Sequence, residues 1–122
     1  MEIAYKTLLA IAYISVTSCA SLHTEISEVY VEDFFSDDMD ACKPSDVDLN
    51  NNDAKNYFLK SRKVDYKVIH DHYIIAPCYI EGTMKFNGKL CDWKIQASGV
   101  GSVTCGDVVE YYVCDSCEGL FK

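Results

Sequence analysis

Positive charge is scarce in this 122-residue chain: 11 Lys and Arg stand against 19 Asp and Glu, a formal net charge of -8. Nucleic-acid binding rests on neutralising phosphates with Lys and Arg, so the deficit argues against a DNA or RNA partner. Beyond the first nineteen residues there is no apolar run long enough to span a bilayer as a helix. No G-x-S-x-G elbow is present, no Gly-rich loop runs into a helix that would cradle phosphate, and no second C-x-x-C pair follows the first. The acidic residues crowd into one segment, so no carboxylate pair stands out for glycoside hydrolysis. With no visible catalytic constellation, the chain reads as a non-enzyme that needs no cofactor and no metal.

What the chain does contain is ordinary for a globular protein, with 49% apolar and 25% charged residues. Its length suits one domain with a small core. Seven cysteines are the exception. That many in so short a chain favour an oxidising compartment or a metal site over a cytosolic setting.

Residues 7–16, from Thr7 to Val16, form an apolar run of signal-peptide length, and Val16-Thr17-Ser18-Cys19 follows it. This tetrad resembles the lipobox of bacterial lipoproteins, in which the cysteine is acylated and becomes the new N-terminus. The resemblance implies a signal peptide over residues 1–18, palmitate-type lipid on Cys19, and a periplasmic protein anchored to a membrane without crossing it. In a Gram-negative host, Ala20 after the cysteine implies the outer membrane. The alternative is a simple cleaved leader ending near Ala20 and a secreted protein. Lipid on Cys19 leaves Cys42, Cys78, Cys91, Cys105, Cys114 and Cys117, an even set able to form three disulfides.

Residues 19–52 read as an acidic tether and N-terminal segment, because residues 25–53 hold ten carboxylates against Lys43 alone. Val29, Val31, Phe34 and Phe35 within it are able to pack onto a core. Asp46-x-Asp48-x-Asn50 has the alternation of a calcium loop but lacks a Glu at its twelfth position, where Tyr57 stands, so it reads better as a helix start. Asn52 or Asp53 is expected to cap a helix from Ala54 to about Arg62.

Residues 53–122 are expected to form an α+β domain: a small antiparallel sheet with one short helix, stabilised by disulfides. Phe86-Asn87-Gly88-Lys89 is the strongest local signal, since Asn-Gly takes the positive φ angles of a two-residue hairpin turn. The turn sets Met84 opposite Cys91, Gly82 opposite Trp93 and Ile80 opposite Ile95 on one apolar face. The other face pairs Lys85 with Leu90, Thr83 with Asp92, Glu81 with Lys94 and Tyr79 with Gln96. Further strands are expected near His72–Ala76, Gly101–Cys105 and Val108–Cys114. In this register Cys78 and Cys91 lie on the order of 20 Å apart, against a limit of about 7 Å between the Cα atoms of a disulfide, so that pairing is excluded. Cys42 is expected to clip the N-terminal segment to the sheet.

Three local groups invite chemistry. Cys114-Asp115-Ser116-Cys117 has redox or zinc spacing, but a structural disulfide is the plainer reading. His70 and His72 share a face if their segment is a strand, yet two imidazoles do not make a metal site. Ser98-Gly99-Val100-Gly101-Ser102 reads as a flexible loop and resembles the Ser-Gly loop with which bacterial lipoprotein inhibitors of lysozyme enter the enzyme cleft. Nine tyrosines add contact area, with Tyr66, Tyr73, Tyr79, Tyr111 and Tyr112 assigned to strand surfaces. The chain is similar in type to periplasmic immunity proteins and hydrolase inhibitors. That likeness implies a toxin or cell-wall hydrolase as partner, bound by Ser98, Gly99, Val100, Gly101, Tyr111 and Tyr112. The alternatives are a structural envelope lipoprotein, or a metal or redox lipoprotein using His70, His72 and the C-terminal cysteine pair.

Overall fold

A computed structural model describes residues 25–121. The elements are β1 (Ile26–Ser36), α1 (Asn51–Lys60), β2 (Arg62–Val64), α2 (Tyr66–His72), β3 (Cys78–Phe86), β4 (Lys89–Gln96), β5 (Val100–Cys105) and β6 (Val108–Val113), with a 3-10 turn at Pro44–Val47. All six strands join one antiparallel sheet in the order β1-β3-β4-β5-β6-β2. The sheet is larger than expected, and there are two α-helices where the sequence suggested one.

The β3–β4 hairpin sets the frame. Asn87 and Gly88 take φ of 53° and 82°, the turn geometry that Asn-Gly tolerates. The resulting register pairs Met84 with Cys91, Gly82 with Trp93 and Ile80 with Ile95, as the alternation required. These side chains are buried on the inner face, and the Trp93 indole N–H donates to the Thr83 carbonyl at 2.9 Å. Gly82 is needed for space: a Cβ there would lie 1.8 Å from the Tyr30 carbonyl oxygen and 2.7 Å from the indole. Tyr30 comes so close because β1 carries two irregularities in its pairing with β3, and bulges of this kind bend a strand across its neighbour.

From Glu25 onward the acidic segment is therefore part of the fold and not a free tether. Val29 is buried, Val31 and Phe34 pack against the core, and Phe35 stays exposed on the outer face. The calcium-like pattern resolves into capping. Asn50 caps α1, its side chain accepting from the Asp53 N–H at 2.8 Å while the Asp53 carboxylate accepts from the Asn50 N–H at 3.1 Å. Asn51 accepts from the Val31 N–H at 2.8 Å, which satisfies a donor on the sheet's edge strand. The helix thus begins three residues before the expected Ala54. Ala54, Tyr57 and Phe58 form its buried stripe, with Phe58 edge-on to Trp93 at 5.7 Å and to Tyr112 at 6.0 Å.

The expected strand at His72–Ala76 is absent. Tyr66–His72 is α2, and Tyr73–Pro77 returns unpaired to β3. A helix of seven residues does not hold by propensity alone; Ile69, 1% exposed, anchors it to Val100 and Val113 on the outer face. Burying that side chain contributes about 2 kcal/mol. His70 and His72, two residues apart on a helix, point about 160° apart instead of sharing a strand face. Tyr66 and Tyr73 accordingly sit on α2 and at its C-cap, not on strands.

Three disulfides join Cys42 to Cys78, Cys91 to Cys105 and Cys114 to Cys117. Cys42 clips the N-terminal segment to β3, and the excluded Cys78–Cys91 pairing does not occur. This set of bridges indicates an oxidising, extracytoplasmic environment. Among the described residues no helix is long and apolar enough to cross a membrane. Cys19 and the leader lie outside the described residues.

Candidate functional site

The inner face of the sheet is filled by α1; the outer face is covered at one end only. Register places Asp33, Glu81, Lys94, Ser102, Tyr111 and Val64 in a single row across all six strands of the outer face. α2 and Ile75 rise over the Tyr111 end of this row, while the Asp33 end lies open.

Two hollows meet on the row. The apolar one, of about 250 Å³, lies between α2 and the sheet and is lined by Tyr66, Ile69, Ile75, Val100 and Tyr111 with Lys94, Gln96 and Ser102 at its mouth. The Tyr66 and Tyr111 rings are 5.2 Å apart at 56°. The polar one, of about 360 Å³, is lined by Glu32, Glu81, Asp92, Lys94, Ser102 and Thr104. Lys94 and Ser102 border both, so the hollows adjoin, and together they are called the groove, with an aromatic end and an acidic end. Among the described residues, Lys94 makes no ion pair at the acidic end. Its ammonium lies over the Tyr79 ring, 4.8 Å from the centroid, and Glu32, Asp33, Glu81 and Asp92 form no ion pair among the described residues. The signal for this surface was present in the polar alternate face of the hairpin; what sequence reasoning missed was β1 supplying Glu32 and Asp33, and α2 supplying Tyr66.

The residues singled out in the sequence are dispersed. Ser98 and Gly99 sit in a tight three-residue turn between β4 and β5, held by the Gly99 N–H donating to the Gln96 carbonyl at 2.9 Å. Tyr57, fully buried, donates its hydroxyl to the Gly99 carbonyl at 2.8 Å. Burial, and secondarily Tyr73, push that hydroxyl well above the usual tyrosine range, so it stays a donor. The turn is therefore braced from below by a buried side chain. Val100 and Gly101 are buried strand residues, and a Cβ on Gly101 would lie 2.7 Å from the Tyr57 hydroxyl oxygen. Tyr111 and Tyr112 lie on opposite faces of β6: Tyr111 walls the groove, whereas Tyr112 packs on Phe58. Burial, then Glu110, push the Tyr112 hydroxyl up to about 12.

At the Ser98 end, Asp115 accepts from the Tyr73 hydroxyl at 2.8 Å and from the Arg62 Nε at 3.0 Å, which hold its carboxyl below the usual range. This cluster ties β2, the end of α2 and the C-terminal bridge together on the surface. The Cys114–Cys117 pair is a closed disulfide with Cys117 buried, and no group of three or more metal-ligating side chains occurs among the described residues.

No family model matches the chain, and neither the curated proteins nor the solved structures yield a match.

Proposed function

We propose that this is an extracytoplasmic binding protein, held at a membrane by lipid on Cys19, that neutralises a basic protein: a toxin or a cell-wall hydrolase. The observation that carries the reading is the open half of the outer face, where Glu32, Asp33, Glu81 and Asp92 stand without ion-pair partners beside an aromatic-lined groove. Tyrosine at a groove and complementary charge at its rim are features of protein–protein recognition. Three disulfides brace the scaffold, which lowers the ordering cost of binding. We place the contact here and not on the Ser98–Gly99 turn: of the residues singled out in the sequence, Val100 lies at the floor of the apolar hollow and Tyr111 on its wall, while Tyr112 packs on the inner face.

The test uses the Cys19→Ser protein as bait against envelope and secreted fractions of its own organism, followed by an activity assay of the captured protein. One basic hydrolase or toxin, inhibited at a 1:1 ratio, is the expected result. Reproducible absence of such a partner overturns the reading in favour of a structural envelope role. The mass of the natural protein tests the anchor separately: an acyl-bearing N-terminal peptide beginning at Cys19 is expected.

A further inference from the structure

The two ends of the groove differ in chemistry, and that difference specifies what lies in it. We infer that the groove takes an extended cationic segment of the partner, anchored by one aromatic side chain seated in the apolar hollow beside the contacting rings of Tyr66 and Tyr111. This rests on the reading of the protein as a binder of a basic protein and adds the recognition chemistry.

The anchor follows from size and lining. At about 250 Å³ the apolar hollow is smaller than the roughly 300–1,000 Å³ of small-molecule pockets, which suits a single side chain. Its floor, Val100 and Ile69, is 3% and 1% exposed, whereas Tyr66 and Ile75 on its walls are 55% and 54% exposed. An inserted ring would cover the wall residues and stack against tyrosine faces, a source of concentrated binding energy at interfaces.

The charge follows from the row that leads out of the hollow. Ser102 forms the step, Lys94 is withdrawn over Tyr79, and Glu81 comes next on β3 with Asp92 and Glu32 beside it. Strands lie about 4.8 Å apart, so Glu81 is about 10 Å from Ser102 and about 14 Å from Tyr111. An extended segment crossing the strands rises about 3.3 Å per residue and turns alternate side chains toward the sheet. Arg or Lys four positions from the anchor, about 13 Å along the row, therefore reaches Glu81, while the residue two positions along, at about 7 Å, lies beyond Ser102 on the way to the acidic end. A second copy of this chain is disfavoured as the occupant, since it would set like-charged faces against each other.

The test is a titration of the ¹⁵N-labelled Cys19→Ser protein with the peptide Ac-Arg-Gly-Arg-Gly-Trp-Gly-amide, followed by amide chemical shifts. Two control peptides replace Trp with Ala, or both Arg with Glu. The expected result is saturable shifts at Tyr66, Ser102 and Tyr111 with the parent peptide only. Tyr66→Ala and Glu81→Lys should each weaken the affinity by about tenfold, with the remaining amide spectrum unchanged. Ile75→Ser gives a second, exposed wall variant if either of those disturbs the fold. Equal response to the Glu peptide, shifts confined to the Ser98 turn or to α1, no shift at millimolar peptide, or concentration-dependent self-association through this face each overturn the inference. Peptide binding here without a captured hydrolase leaves the inference standing and overturns the inhibitor reading. A captured hydrolase indifferent to Tyr66→Ala and Glu81→Lys does the reverse.

Discussion

At the scale of single residues, space and protonation decide most. Gly101 lies where α1 meets the sheet, and its missing side chain is occupied by the Tyr57 ring, with the Lys94 carbonyl 3.1 Å from a would-be Cβ. Gly101→Val should cost about 3 kcal/mol, through overpacking against a side chain that cannot leave its hydrogen bond, and denaturant titration measures it. Asp115 gives a pH signature. The Tyr73 hydroxyl and then Arg62 favour its ionised form, so its folded pKa lies below the unfolded one. A group lowered in this way stabilises the fold above its unfolded value of about 3.9, and the gain disappears as pH falls through the folded value. Asp115→Asn should therefore melt lower than the natural protein at neutral pH, and the two should converge toward pH 2; a gap that persists in acid would contradict the account.

Elements show which signals are local and which are not. The hairpin at Asn87-Gly88 was legible because turn chemistry and two-residue alternation both lie within about ten residues of the turn. The start of α1 was legible in kind but misplaced, because Asn50, Asn51, Asn52 and Asp53 are all competent caps and only the packing of Ala54, Tyr57 and Phe58 selects among them. Asn50→Ala should cost about 1 kcal/mol and accelerate hydrogen exchange in the first turn of α1, since the side-chain oxygen that accepts from the Asp53 N–H is lost. α2 was invisible. Val68, Tyr73, Ile74 and Ile75 favour extended structure, and a helix forms over Tyr66–His72 because Ile69 finds Val100 and Val113 on the sheet. The groove depends on that docking, so half of the candidate site was hidden with it.

At the scale of the whole molecule, covalent bridges and net charge set the behaviour. Cys42–Cys78 spans 36 residues and Cys114–Cys117 only 3. Because loop-closure entropy grows with loop length, Cys42→Ser/Cys78→Ser should cost about 4 kcal/mol and Cys114→Ser/Cys117→Ser about 2 kcal/mol, as compared by urea unfolding. With a net charge of -8, association with a basic partner should be steered over long range. Its on-rate should fall steeply between low and physiological salt while the dissociation rate changes little, which stopped-flow or surface binding resolves. Composition, the six paired cysteines, the hairpin register and the acidic excess were all readable from the residues, because each depends on chemistry or on neighbours close in the chain. The bridges' partners, the recruitment of Glu32 and Asp33 into the sheet through β1, the docking of α2 and the separation of Tyr111 from Tyr112 onto opposite faces came only with the fold. Each of these joins segments far apart in the chain, and such pairings are chosen by how the whole core packs.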